Sequence, residues 1–277
     1  MVSSKGSNLK DGYFLGRDHK ASTRLNYQHF WTSNLIKDLL HPEIKVDRSD
    51  MCIADVGTGT GVWLVDVAQQ VPARTKLYGF DLSSAQFPRS EWLPSNVKLI
   101  AQDALAEVPS EWHGKFDVVN MRFVLALVGS EAKYKKLISN IRLLLNVSKS
   151  AAAQVARLMQ KPLATTDYSY DASLISRSES RAESHRYFPV EAQNIAQKHD
   201  LQLLSWDEMP IGPTHQSFWN QSNLLALEEM VAVYDQQGLG GEGDNLRQII
   251  DRLRQEHERG WIIKASFFRW VLQVESI

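Results

Sequence analysis

The sequence predicts an α/β fold built on a mostly parallel, doubly wound sheet, and three observations carry that prediction. Short β-rich runs alternate with helical stretches from Met51 onward. One buried run leads straight into the glycine loop Gly57-Thr58-Gly59-Thr60-Gly61, and the next strand closes on an acid, Asp81, twenty residues after Gly61. Alternation of this kind lays helices over a parallel sheet. A glycine-rich turn at the carboxyl edge of such a sheet lets the backbone bend sharply and come close to a ligand.

Taken in order, residues 1–12 are polar and read as a flexible tail without the apolar stretch of a secretory signal. From Ser22 to Leu40, Leu25, Phe30, Trp31, Leu35, Ile36, Leu39 and Leu40 recur at helical spacing, with Ser22 as N-cap and His41-Pro42 as stop. Met51–Val56, Thr75–Phe80, Val97–Ile100 and Phe116–Met121 read as strands, with a helix over Gly61–Val71. Ser130–Leu145 and Val190–His199 read as helices and Leu201–Ile211 as a strand. Helices over Trp219–Gln236 and Asn245–Arg259 flank the break at Gly238-Leu239-Gly240-Gly241, and Phe267–Glu275 reads as a strand. With no repeat and no linker, one domain is expected over 13–277. It comprises a helical lid (13–50), a cofactor-binding half (51–145) and a substrate-side half (146–277).

Composition narrows the function classes. A chain of 277 residues with 43% apolar residues and eight tryptophans supports a sizeable core, which argues against disorder. A net charge of -1 lacks the basic footprint of a nucleic-acid partner. No run of 18 apolar residues predicts a membrane span. The single cysteine, Cys52, forms no internal disulfide and no zinc site. These features predict a cytoplasmic protein whose glycosylation triplets at Asn146 and Asn220 carry no meaning.

The glycine spacing discriminates between ligands. A dinucleotide fingerprint starting at Gly57 needs glycine at position 62, where this chain has Val62. No Gly-Lys-Ser/Thr follows, so a triphosphate loop is excluded. Asp81 at the end of the second strand is placed to accept hydrogen bonds from ribose hydroxyls. Asp103, in Gln102-Asp103-Ala104 after the third strand, could meet an adenine amine. The plainer alternatives are a solvated turn acid for Asp81 and a helix N-cap for Asp103.

Asp55-Val-Gly-Thr-Gly-Thr-Gly61-x-Trp63, then Gly79-Phe-Asp-Leu-Ser83, then Gln102-Asp-Ala104 resembles the class I S-adenosylmethionine-dependent methyltransferases, a Rossmann-like fold. Leu15-Gly-Arg-Asp18, Ala21-Ser-Thr-Arg-Leu-Asn26 and Gln28-His29 narrow the resemblance to fungal small-molecule methyltransferases of secondary metabolism, whose relatives include a regulatory branch. The resemblance is specific over about residues 13–125. It implies that Gly57, Gly59 and Gly61 line the methionine part of the cofactor, Asp81 holds the ribose, and Asp103 and Ala104 flank the adenine. Asn120 and Met121 would lie under the sulfonium. Tyr13 and Arg24 would close over the site, with Arg24 on the cofactor carboxylate. Asp55, Thr58, Leu82, Gln102 and Arg122 complete the implied cofactor set. For Arg24 a packed or surface helix position is the plain alternative.

The implied reaction moves methyl from S-adenosyl-L-methionine to oxygen or nitrogen of a small natural product, leaving S-adenosyl-L-homocysteine and using no metal. Alignment alone supplies roughly 7–11 kcal/mol to such a displacement. His29 is the first candidate general base and His215 the second, among eight histidines. Asn120-Met121-Arg122-Phe123 departs from the Asn/Asp-Pro-Pro-aromatic tetrad of nucleic-acid amino methylation. Phe30, Trp31, Phe123 and Trp219 are candidates for an aromatic acceptor pocket, with core packing as the alternative. The competing readings are a cofactor-binding protein with a regulatory or non-methylating role, such as a pericyclic rearrangement, and a relative that binds nothing.

One departure from the family is plain. After Leu145 the expected Pro-Gly-Gly turn is missing, no glycine occurs from 130 to 211, and Ala151–Met159 has helical propensity. The fifth strand is therefore expected to be absent or rebuilt, with Phe267–Glu275 pairing directly with the fourth.

Overall fold

The computed structural model describes residues 13, 15–46, 48, 50–124, 130–147, 151–160, 197–260 and 265–274. The expected tail at 1–12 and most of the expected helix Val190–His199 lie outside them. The chain forms two compact units, Met1–Leu35 with Ile211–Ile263, and Ile36–Pro210 with Lys264–Ile277.

The second unit is a seven-stranded α/β sheet. Its strands are β1 (Cys52–Val56), β2 (Lys76–Asp81), β3 (Val97–Ala101), β4 (Val118–Arg122), β5 (Ala152–Gln160), β6 (Leu201–Pro210) and β7 (Ala265–Val274). They lie in the order β3-β2-β1-β4-β5-β7-β6. All pairs from β3 to β5 are parallel, and β7 runs antiparallel to both β5 and β6. This is the predicted Rossmann-like, mostly parallel class I fold. Two helices position the site: α2 (Val62–Ala68) after β1 and α3 (Glu131–Leu144) after β4.

The fifth strand is present without the Pro-Gly-Gly turn, the rebuilt alternative of the expectation, and the expected pairing of Phe267–Glu275 with the fourth strand is corrected. Ala152–Gln160 pairs with β4 on one side and β7 on the other, so β7 never meets β4. Residues 151–156 are all buried. Alanine's preference against strands is a fraction of about 1 kcal/mol per residue. A ladder to β4 over residues 152–156, an antiparallel ladder to β7 over residues 152–160 and burial of residues 151–156 outweigh it here.

Alternation along the strands feeds two cores. Ile53, Leu77, Val118, Ala152 and Val271 face α2, where Trp63, Leu64 and Val67 cover them. Ala54, Val56, Phe80, Val119, Met121, Ala153 and Val155 face α3, with Leu137, Ile138 and Ile141. Burying each of these large side chains contributes about 1.5–3 kcal/mol.

The first unit consists of α1 (His19–Ile36), α4 (Pro213–Gln236) and α5 (Gly240–Glu258). The N-cap of α1 is Asp18 rather than Ser22: its Oδ1 accepts from the amides of Lys20 and Ala21, both at 3.0 Å. The helix ends at Ile36 because Lys37 turns left-handed, with φ 71°. Trp31 and Trp219 pack at 6.1 Å between ring centres. Val231, Leu246 and Ile250 join α4 to α5.

Candidate functional site

The glycine loop sits at the carboxyl end of β1 in the second unit. Gly57, Gly59 and Gly61 have φ of 73°, 57° and 77°, a region costly for residues with a Cβ. A Cβ on Gly57 would lie 2.1 Å from Val124 Cγ2. The amides of Gly57 and Thr58 both donate to the carbonyl of Phe80, which laces the loop to β2. Gly59 N–H donates to Asp81 Oδ2 at 2.8 Å, and Ser83 N–H reaches Oδ1 at 3.3 Å. Asp81 is half-buried and oriented by two backbone amides.

The next loop is anchored from α3. Asn140 donates from Nδ2 to the carbonyls of Ala104 and Ala106, each at 2.7 Å. Asp103 is exposed, and its Oδ1 accepts from Leu105 N–H. Beside this loop opens a small, largely apolar recess, lined among others by Val56, Phe80, Ala104, Trp112 and Ile141.

One row of side chains crosses the sheet on its α2 face. Register places Asp55 opposite Asn120, and Asn120 opposite Gln154. Asn120 Nδ2 donates to Asp55 Oδ1 at 2.7 Å, and Gln154 Nε2 donates to Asn120 Oδ1 at 3.0 Å. All three are buried. Burial pushes the Asp55 carboxyl up to about 6, against the opposing pull of Arg122 and the Asn120 hydrogen bond. Burial likewise brings Arg122 down to about 10, with Asp55 and Asp66 opposing. The Arg122 guanidinium lies 5.8 Å over the Trp63 ring.

The structure gathers Asp55, Gly57, Thr58, Gly59, Gly61, Asp81, Leu82, Gln102, Asp103, Ala104, Asn120, Met121 and Arg122 in the second unit, at or beside the carboxyl ends of β1 to β4. Leu82 is exposed, whereas Met121 is wholly buried in the α3-side core. Tyr13, Arg24, His29 and His215 belong to the first unit. There Arg24 Nε donates to Glu229 Oε1 at 2.6 Å, and Arg17 stacks on Tyr13. His29 is buried, with Nε2 3.5 Å from Ser33 Oγ. His215 bridges Asn34 and Thr214. Of the candidate aromatics, Trp31 and Trp219 are buried, Phe30 is exposed, and Phe123 packs edge-on to Phe267. Sequence reasoning missed Gly79, Asn140 and Gln154. Only Gly79 carried a signal, as the first residue of Gly-Phe-Asp-Leu: its Cβ would lie 2.5 Å from Leu99 Cδ2 and 2.8 Å from Thr58.

The chain belongs to a methyltransferase family: residues 27–227 match the family described as a methyltransferase domain. Fungal N-methyltransferases are among its relatives. N-methyltransferase verN of Clonostachys rogersoniana is 36% identical over 117 residues, covering 42% of this chain and 41% of that protein. N-methyltransferase tcpN of Claviceps purpurea (strain 20.1) is 33% identical over 132 residues, 47% of each chain. The matched segment thus spans less than half the length of these relatives. Among solved structures, phosphoethanolamine N-methyltransferase 2 of Haemonchus contortus in complex with S-adenosyl-L-methionine superposes with a TM-score of 0.54 at 13% identity. That match covers 92% of this chain and 57% of the other.

The residues present fit S-adenosylmethionine. The glycine loop turns tightly at the carboxyl end of β1 through three positive-φ glycines, which lets its backbone approach a ligand closely. Asp81 places a carboxylate, chemistry suited to a diol, at the end of β2 beside the glycine loop, and an apolar recess adjoins the Asp103 loop.

Proposed function

We propose that the chain binds S-adenosyl-L-methionine and transfers its methyl group to a nitrogen or oxygen of a small natural-product acceptor. The observation that carries this reading is Asp81, fixed by Gly59 N–H at 2.8 Å at the end of β2 and facing the glycine loop across one hydrogen bond. Two named relatives are N-methyltransferases, which favours nitrogen. When bound, the cofactor supplies an electrophilic methyl on a sulfonium. Gly57, Gly59 and Gly61 would admit its amino-acid part, Asp81 its ribose hydroxyls, and Asp103 with Ala104 its base. Asp55 and Asn120 lie at the foot of the loop, where an acceptor for the cofactor's ammonium is needed. His29 and His215 are the groups proposed to take the acceptor's proton.

Calorimetric titration of S-adenosyl-L-methionine tests the cofactor half of the reading. Asp81→Asn keeps an acceptor but loses the charge, worth about 1.5–3 kcal/mol in such hydrogen bonds, so it should bind roughly ten- to hundredfold more weakly. No binding by folded wild type refutes the reading. Release of S-adenosyl-L-homocysteine only when an amine or phenol acceptor is present separates methyl transfer from a regulatory or rearranging role.

A further inference from the structure

Gln154, the third residue of the rebuilt fifth strand, has a fully determined set of partners. Gln154 Oε1 accepts from His41 N–H at 2.7 Å. Its Nε2 donates to Leu39 C=O at 2.9 Å and to Asn120 Oδ1 at 3.0 Å. A backbone N–H only donates and a backbone C=O only accepts, so the segment 39–41 dictates which end of the Gln154 amide faces which way. Gln154 in turn leaves Asn120 no choice: its oxygen meets Gln154 Nε2, and its NH2 must meet Asp55 Oδ1. The row lies one residue pair above the apolar row Ile53, Val118 and Ala152, in the same register across three parallel strands.

We propose that Gln154 is a positioning residue for the cofactor site: through Asn120 it holds the Asp55 carboxylate as a hydrogen-bond acceptor at the foot of the glycine loop. The inference rests on the reading that this loop binds S-adenosyl-L-methionine. Asp55 is faced by Asn120 and Arg122 from β4, by Asp81 from β2 and by Thr58 from its own loop, while Asp66 on α2 acts on Arg122. Among these, the Asn120 amide is the group whose sense reverses if it turns over. Turned over, it presents an oxygen to Asp55 and favours the protonated acid, which no longer attracts the cofactor's ammonium.

The test is S-adenosyl-L-methionine affinity by calorimetry from pH 5 to 8 in wild type, Gln154→Leu, Asn120→Ala and the double variant. Gln154→Leu should weaken binding roughly tenfold at pH 7 and move the pH at which binding is half lost upward. In the Asn120→Ala background the same change should do nothing further, because its route to Asp55 is already cut. A purely structural role would weaken binding equally in both backgrounds, and that result overturns the inference, as does wild-type behaviour of the single variant. Should Gln154→Leu fail to fold, Gln154→Glu takes its place, keeping an acceptor towards His41 N–H. A folded wild type that binds no cofactor refutes the underlying reading; normal wild-type binding with unaffected variants refutes only the role of Gln154.

Discussion

Asp55→Asn should make the cofactor-free protein more stable at neutral pH, and by an amount that follows from its surroundings. The side chain is 4% exposed, and burial raises its carboxyl from the ordinary 3.8 to about 6. The unfolded chain therefore ionises Asp55 about two pH units before the folded chain does. Between those values the native state binds the extra proton, so stability falls as pH rises. The contribution is full below about pH 4 and lost above about pH 6. At about 1.4 kcal/mol per pH unit, ionised Asp55 costs the fold about 3 kcal/mol at pH 8. Asparagine keeps Oδ1 for the Asn120 hydrogen bond and removes the charge. Urea unfolding followed by circular dichroism at pH 4.5, 6, 7 and 8 should show the variant ahead by about 3 kcal/mol at pH 8, with the gap shrinking to about 1 kcal/mol at pH 4.5. A variant no more stable than wild type at pH 8, or a gap independent of pH, refutes the reasoning. The same substitution should weaken S-adenosyl-L-methionine binding, a trade of stability against function expected at a ligand site.

Gly79→Ala forces a methyl into contact with Leu99 and Thr58, at 2.5 and 2.8 Å before relaxation; a loss of about 1–3 kcal/mol is expected as a lower urea midpoint with unchanged slope. Asn140→Ala strips the donor from the carbonyls of Ala104 and Ala106, and a loss of about 1–3 kcal/mol should accompany faster amide exchange over residues 103–107. Unchanged exchange there would show that α3 does not hold that loop.

The strands and the glycine loop were legible because their signals are local. Gly57, Gly59 and Gly61 mark a turn that needs positive φ, and Asp81 sits where β2 ends. The fifth strand was not legible, because Ala152-Ala153-Gln154 has no β signature of its own and becomes a strand only between two partners. Gln154 was hidden for the same reason: its role exists only once register sets it beside Asn120. In α1, spacing of apolar residues pointed to the right helix but misplaced its start, since Asp18 offered a cap four residues ahead of Ser22. Nor did that spacing reveal that Arg24, His29 and Thr32 are buried with Ala21 and Trp31.

Strand order imposes a schedule on synthesis. Among the described residues β6 pairs only with β7, yet β7 begins fifty-five residues after β6 ends, with α4 and α5 encoded between them. At roughly 5–20 residues per second, a nascent chain spends about 3–11 s with β6 made and its partner still in the ribosome. During that interval β5 also lacks its neighbour on one side, and β6 carries Leu204 and Trp206 on the surface that stays exposed after folding. The glycine loop and its four parallel strands are all translated earlier. The edge of the sheet that carries the glycine loop is therefore made well before the β6 edge is closed.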